Sequence, residues 1–171
     1  LQILENAISA GADAILIVAI SPEGIIPGII KANEAGVKVI NVDCAVNFEQ
    51  LKEKGGEIVT YIGSDNVHGA YLAGKAMGEY FKDVNEKVEV GLIEGVPGHA
   101  NAEARKAGFL SGIAEYPNIE CVISQTANFS IDQAYPVMQN MIQAHPNLKA
   151  VFACSDQMAL GAIAAIKDAG K

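Results

Sequence analysis

Tryptophan is absent, arginine occurs once, at Arg105, and the 171 residues hold only three cysteines. Cys44, Cys121 and Cys154 are too few and too scattered for a disulfide framework or a CxxC metal site, so no metal is expected. Cys121 and Cys154 lie in apolar, strand-like runs and read as buried packing. Basic residues number 12 against 20 acidic ones, for a formal charge of −8, and no segment concentrates Lys and Arg. That balance excludes phosphate-backbone binding, and no nucleic acid partner is expected. The longest apolar runs, such as "AILIVAI" (14–20), are far shorter than the roughly 20 residues that cross a bilayer, so no membrane insertion is expected. The chain opens without Met and inside a helical pattern, which leads us to expect an upstream segment. There is no GxGxxG or Walker loop, no G-x-S-x-G elbow and no HExxH, so cofactor and hydrolytic signatures are missing. His68 and His145 read as structural or solvated, and no carboxylate pair has the local context of a glycosidase. No enzyme is expected.

What is present is half hydrophobic, enough for real cores, and strongly ordered. Strand-length apolar runs alternate with helical patterns from one end to the other. A helix over 1–10 stops at Gly11, and the strand "DAILIVA" (13–19) follows. "SPEG" (21–24) predicts a Ser cap with Pro at the first helical position, and Gly36 ends that helix. The strand "VKVINV" (37–42), a polar excursion over 47–56 and the strand "EIVTYI" (57–62) come next. The helix over 64–81 carries Gly69, Ala70, Ala73 and Gly74, small residues that suggest close approach to a neighbour. Strands over 87–93, 119–125 and 149–154 then alternate with helices over 100–115, 131–144 and 156–169. Ser130 and Gln133 have capping-box spacing, and Pro136 is expected to kink its helix. Such alternation with near-continuous apolar strands predicts an α/β fold with parallel sheets covered on both faces, and ligands bind beyond the carboxyl ends of those strands.

The residues at those ends are polar. Asp43 and Cys44 follow the second strand; Glu94, Gly95, Pro97, Gly98, His99, Asn101 and Arg105 follow "VEVGLI" (88–93). Asn128 and Phe129 lie beyond Gln125, and Ser155 and Asp156 beyond Ala153. A carboxylate, a guanidinium, amides, hydroxyls and a flat ring are what a polyol such as a sugar requires: fork-like hydrogen bonds for vicinal hydroxyls, and a stacking face for the apolar side. Each has a plainer reading. Ser155 and Asp156 are equally suited to capping a helix, Phe129 to the core and Arg105 to a surface, whereas no helix begins directly after Asp43 for it to cap. The residues alone thus indicate an α/β binder of a small polar molecule.

The text "PVMQNMIQAHPNLKAVFACSDQMALGAIAAIKDAG" (136–170) resembles the sugar-binding proteins of bacterial ABC transporters, of the ribose and galactose/glucose type. "SDQMALGA" is similar to the family's strand-to-helix signature, "IGSDNVHGAYLAG" (62–74) to its first crossover between lobes, and "EARKAGF" to its arginine helix. The resemblance implies two Rossmann-like lobes, with 1–63 part of the first and 64–171 part of the second, that close on a sugar or polyol by hinge motion. It implies ligand-binding roles for Asp43 as carboxylate, Arg105 as guanidinium, Phe129 as aromatic platform, and His99, Asn101 and Ser155. Asn101 stands where glucose/galactose-type members have an aspartate, Ser155 where they have an asparagine, and Cys44 where ribose-type members have an arginine. These departures point away from a ribose-type site and leave hexoses, pentoses and polyols open. The family's partner is a membrane permease, and its place is the periplasm or, lipid-anchored, the outer face of the membrane, reached by a signal peptide. The same fold also serves effector cores of lactose-repressor-type regulators, which the resemblance ranks second. The family's opening strand-helix-strand and its return crossovers have no counterpart in 1–171, so a fragment that binds weakly by itself is expected.

Overall fold

The computed structural model describes residues 1–171, which divide into two compact units, Leu1–Ser64 and Asp65–Lys171. In the first, β1 (Ala14–Ile17), β2 (Lys38–Val42) and β3 (Thr60–Ile62) form a parallel sheet in that order, with Leu16, Ile40 and Thr60 in register. The alternation of the strands sends Ile17, Val39 and Asn41 to one face, where they are buried with Leu4 of α1 (Gln2–Ser9), Ile26, Ile29 and Ala32 of α2 (Ile26–Glu34) and Leu51 of α3 (Phe48–Glu53). The other face stays open: Leu16 is 68% and Ile62 58% exposed. Coverage on both faces, expected from the apolar strands, is therefore not what this sheet has, because its three helices all pack into a single core cluster.

Two further local expectations are corrected. "SPEG" is a turn of its own, with the Gly24 N–H donating to Ser21 Oγ at 3.0 Å, and α2 starts only at Ile26, one turn later, with Pro27 in its opening positions. The polar excursion contains α3, capped by Asn47, whose side chain accepts from the Gln50 N–H at 3.1 Å.

The second unit centres on β4 (Val88–Glu94), flanked by β5 (Ile119–Thr126) and β6 (Ala150–Ala153), all parallel in the order β5-β4-β6. Val88, Val90, Leu92 and Ile93 of β4 are each no more than 1% exposed, as a strand buried on both faces requires. Phe109 of α5 (Ala100–Ile113) stacks on Phe152 of β6 at 4.3 Å, and Met138, Met141 and Met158 of α6 (Ile131–Ala144) and α7 (Asp156–Asp168) fill the same core. The helix α6 runs through Pro136 as one element. Ser130 caps it by accepting from the Gln133 N–H at 3.3 Å, but the Gln133 side chain accepts from Asn128 Nδ2 at 2.8 Å, so the capping-box spacing is only half used.

Helix α4 (Asn66–Phe81) lies backbone against backbone on α5. A Cβ on Gly108 would strike the Val67 carbonyl oxygen, one on Gly112 the Tyr71 carbonyl oxygen, and one on Gly74 would come within 3.0 Å of Gly112 Cα. Of the small residues singled out on α4, Gly74 makes this contact whereas Gly69 faces open space. Helix α5 is also tied to the sheet by Lys106, whose Nζ donates to Glu94 Oε1 at 2.8 Å, with the Ser124 hydroxyl donating to the same carboxylate. Burial alone would raise the Glu94 carboxyl, yet the hydrogen bonds from Lys106 and Ser124 hold it below its ordinary value.

Two outcomes follow for equilibrium unfolding. Gly112→Ala is expected to cost roughly 1–3 kcal/mol by overpacking, although alanine is the better helix former; Gly69→Ala should instead stabilise by about 0.5–1 kcal/mol. Equal effects at both positions would refute the close-approach reading. A carboxyl with a lowered folded-state pKa contributes stability above its unfolded value and loses it as pH falls through the folded one. Glu94→Gln should therefore flatten the loss of stability between about pH 5 and pH 3, measured as denaturant midpoints across that range.

Candidate functional site

In the first unit the carboxyl end of β2 carries Asp43 in a left-handed backbone conformation, φ +63°. Aspartate visits this region more readily than most residues, yet a non-glycine residue stays there only when its surroundings hold it. They do. The Asp43 N–H continues the ladder to the Ile62 carbonyl at 2.8 Å, and the Asp43 carbonyl accepts from the Tyr61 hydroxyl at 2.7 Å. The fully buried Asn41 secures the next residues: its Nδ2 donates to the Cys44 carbonyl at 2.9 Å and its Oδ1 accepts from the Val46 N–H at 3.0 Å. The result is an exposed carboxylate on a fixed base. Beside it, burial and the Asp43 charge push the Cys44 thiol up, so it stays protonated and packs as a small apolar group.

In the second unit "VPGHANAE" resolves into a turn and a helix start. Gly98 takes φ +76° and the His99 N–H donates to the Val96 carbonyl at 3.1 Å. His99 occupies the N-cap position without a side-chain cap; Glu103 instead reaches back to accept from the Gly98 N–H at 3.0 Å. That substitution leaves the imidazole to another use, an edge-to-face contact with the Phe129 ring at 5.4 Å. Asn101, in the first turn of α5, is buried at 8% exposure.

Phe129 lies on the loop between β5 and α6, where it and Asn128 both take positive φ, +59° and +52°. An aromatic residue in this region is a genuine outlier. The loop is held by Thr126, whose hydroxyl donates to the Gly95 carbonyl at 2.6 Å, and by Asn128, whose Nδ2 bonds Gln133. The ring settles over Gly95, where any Cβ would collide with it. Phe129 also packs on the edge of the core, so the core and site readings of this residue meet in one position.

Arg105 projects from the next turn of α5. Its Nε donates to Asn66 Oδ1 and its Nη1 to the Cys154 carbonyl, both at 2.8 Å. Of the five N–H donors a guanidinium carries, two are thus held by the protein and three remain, both on Nη2 among them. Ser155, the residue after that carbonyl, caps α7 by accepting from the Met158 N–H at 3.3 Å, which fulfils its capping reading.

The structure therefore gathers His99, Asn101, Arg105, Phe129 and Ser155 at the carboxyl ends of β4, β5 and β6, and places Asp43 at the carboxyl end of β2 in the other unit. Sequence reasoning passed over Asn41, Tyr61, Asn66 and Glu103, which do the holding. One signal was available: an asparagine in the middle of the apolar strand "VKVINV" has no place on a buried face without partners. A concavity of about 420 Å³ lies elsewhere, against Leu4, Ile15, Leu16, Ile17 and Ile20 in the first unit, and its apolar lining suits no polyol. Chemically, the second unit's cluster can donate charged hydrogen bonds, exchange amide hydrogen bonds and stack a ring.

The periplasmic binding protein domain family matches residues 1–171. The D-ribose/D-allose-binding protein of Pseudomonas aeruginosa is 35% identical over the whole chain, and the ribose import binding protein of Bacillus subtilis 35% identical over 98% of it. Among solved structures, a periplasmic solute-binding protein of an ABC transporter from Actinobacillus succinogenes with bound D-allose superposes with a TM-score of 0.92 at 37% identity, over 99% of this chain and 58% of that one. The chain spans about half the length of the curated relatives it matches, 52% and 51% for these two. By that agreement of sequence and fold, the chain belongs to the periplasmic binding protein domain family.

Proposed function

We propose that this chain is part of the substrate-binding component of a bacterial carbohydrate ABC transporter, whose ligand is a sugar or polyol. The observation that carries the reading is the half-buried Arg105 at the carboxyl end of a parallel sheet, with three N–H donors left after the protein has used two. Such a fork donates to vicinal hydroxyls, and no protein carboxylate neutralises it first. The His99–Phe129 pair, with its ring over Gly95, offers an apolar face beside it, and Asn101 an amide that both donates and accepts. Asp43 is the accepting carboxylate, and Ser155 contributes a hydroxyl while capping its helix.

The two units belong to two lobes that close on the sugar by hinge bending, which a permease then reads; ligand contacts stabilise the closed state. The protein acts outside the cytoplasmic membrane, in the periplasm or held there by a lipid anchor, and turns nothing over. With Cys44 protonated and buried next to Asp43, the first unit offers no cation at that point. Recognition of hydroxyls there rests on the carboxylate alone.

Titration calorimetry of the full-length protein with D-ribose, D-allose, D-galactose, L-arabinose and myo-inositol tests this. At least one should bind with a dissociation constant of about 1 μM or tighter, and Arg105→Ala should weaken it by roughly 1–3 kcal/mol or more, the cost of unpaired hydroxyls at a desolvated site. Absence of binding across the panel would overturn the reading, and unchanged affinity in Arg105→Ala would remove Arg105 from the site.

A further inference from the structure

We infer that Asn66 is a positioning residue for ligand capture: it fixes the guanidinium of Arg105 so that the Nη2 edge faces the sugar. This rests on the function proposed above. Asn66 is the first residue of α4, directly after its cap Asp65, whose side chain accepts from the His68 N–H at 2.9 Å. The cap fixes the helix start, and the helix start fixes Asn66 Oδ1, 2.8 Å from Arg105 Nε. The Cys154 carbonyl takes one proton of Nη1 at 2.8 Å. A planar guanidinium held at Nε and at Nη1 has no rotational freedom left about its long side chain, and its remaining edge is set.

Both holding groups are neutral acceptors. The ion pair that would have served the same purpose goes to the neighbouring residue, Lys106 with Glu94 at 2.8 Å on the sheet side of α5. An amide at position 66 orients the cation without neutralising it, so its full charge reaches the ligand hydroxyls. An arginine not held in this way would lose its rotamer freedom only on binding and weaken affinity accordingly.

The test combines two readouts on the full-length protein. The Arg105 Nε–H resonance, identified by its loss in Arg105→Lys, should exchange with solvent at least tenfold more slowly in the wild type than in Asn66→Leu. Asn66→Asp, which keeps an oxygen at the same place, should retain the slow exchange. Affinity for whichever panel sugar binds the wild type most tightly should fall about tenfold or more in Asn66→Leu. In an Arg105→Lys background the same substitution should cost less than threefold, since a residue acting through Arg105 has nothing left to position. Exchange unchanged in Asn66→Leu, fast exchange in Asn66→Asp, or an affinity loss that is absent or equal in both backgrounds would each overturn the inference. Failure of every panel sugar to bind the wild type would sink the proposed function instead, and the Nε–H exchange would then decide the role of Asn66.

Discussion

The approach of α4 to α5 is the constraint on which the second unit's chemistry depends. Gly108 sits against the Val67 carbonyl, one residue along α4 and three along α5 from the Asn66–Arg105 hydrogen bond. Any side chain at Gly108 would separate the two backbones at the point where that bond must close. The glycines at 74, 108 and 112 therefore serve packing and the placement of Arg105 together. They let two helices touch by their backbones, and this proximity brings a short amide within reach of a guanidinium from the neighbouring helix. Stability and the position of the guanidinium draw on the same contact.

A second regularity joins the units. The three non-glycine residues with positive φ are Asp43, Asn128 and Phe129, and all three lie just beyond the carboxyl end of a parallel strand. Each such conformation costs on the order of 1–3 kcal/mol and persists only where its surroundings enforce it. The enforcement is visible: Asn41 and Tyr61 around Asp43, Thr126 and Gln133 around Asn128 and Phe129. Strain is thus concentrated where the fold class places ligands, and side-chain hydrogen bonds support it there.

The alternation of strand and helix was legible because parallel strands buried in a sheet read as apolar runs, and β4 shows it most clearly. The openings of α2 and α3 were not. Ser-Pro at 21–22 suits a helix start and an isolated turn equally, and only the tertiary course of the chain decides between them. Asp43, His99, Asn101, Arg105, Phe129 and Ser155 stood out as polar or aromatic residues after a strand, but position left capping, core and surface readings open, and the resemblance to the sugar-binding family named them as ligand residues. Their partners escaped notice, since Asn66 and Glu103 act across one or more turns or between helices, and sequence spacing carries no distance of that kind.

In the second unit a helix cap and a candidate ligand group meet at one helix terminus. At α7 the cap and the candidate ligand group are one residue, Ser155, whose hydroxyl oxygen accepts from the helix while its proton stays available as a donor. At α5 the two tasks are separated: Glu103 satisfies the Gly98 N–H, and the N-cap residue His99 turns its ring to Phe129. The difference follows from chemistry. A hydroxyl can accept and donate at once, whereas at α5 the His99 ring packs against Phe129 and the Gly98 N–H is taken by Glu103. Glu103, exposed on α5 and outside the cluster, thus carries the cost of placing an aromatic pair at the sheet's carboxyl end. The odd composition of "VPGHANAEAR" is the record of that division: a turn, a ring, an amide and a guanidinium from one short stretch, with the helix start secured by a residue that faces away.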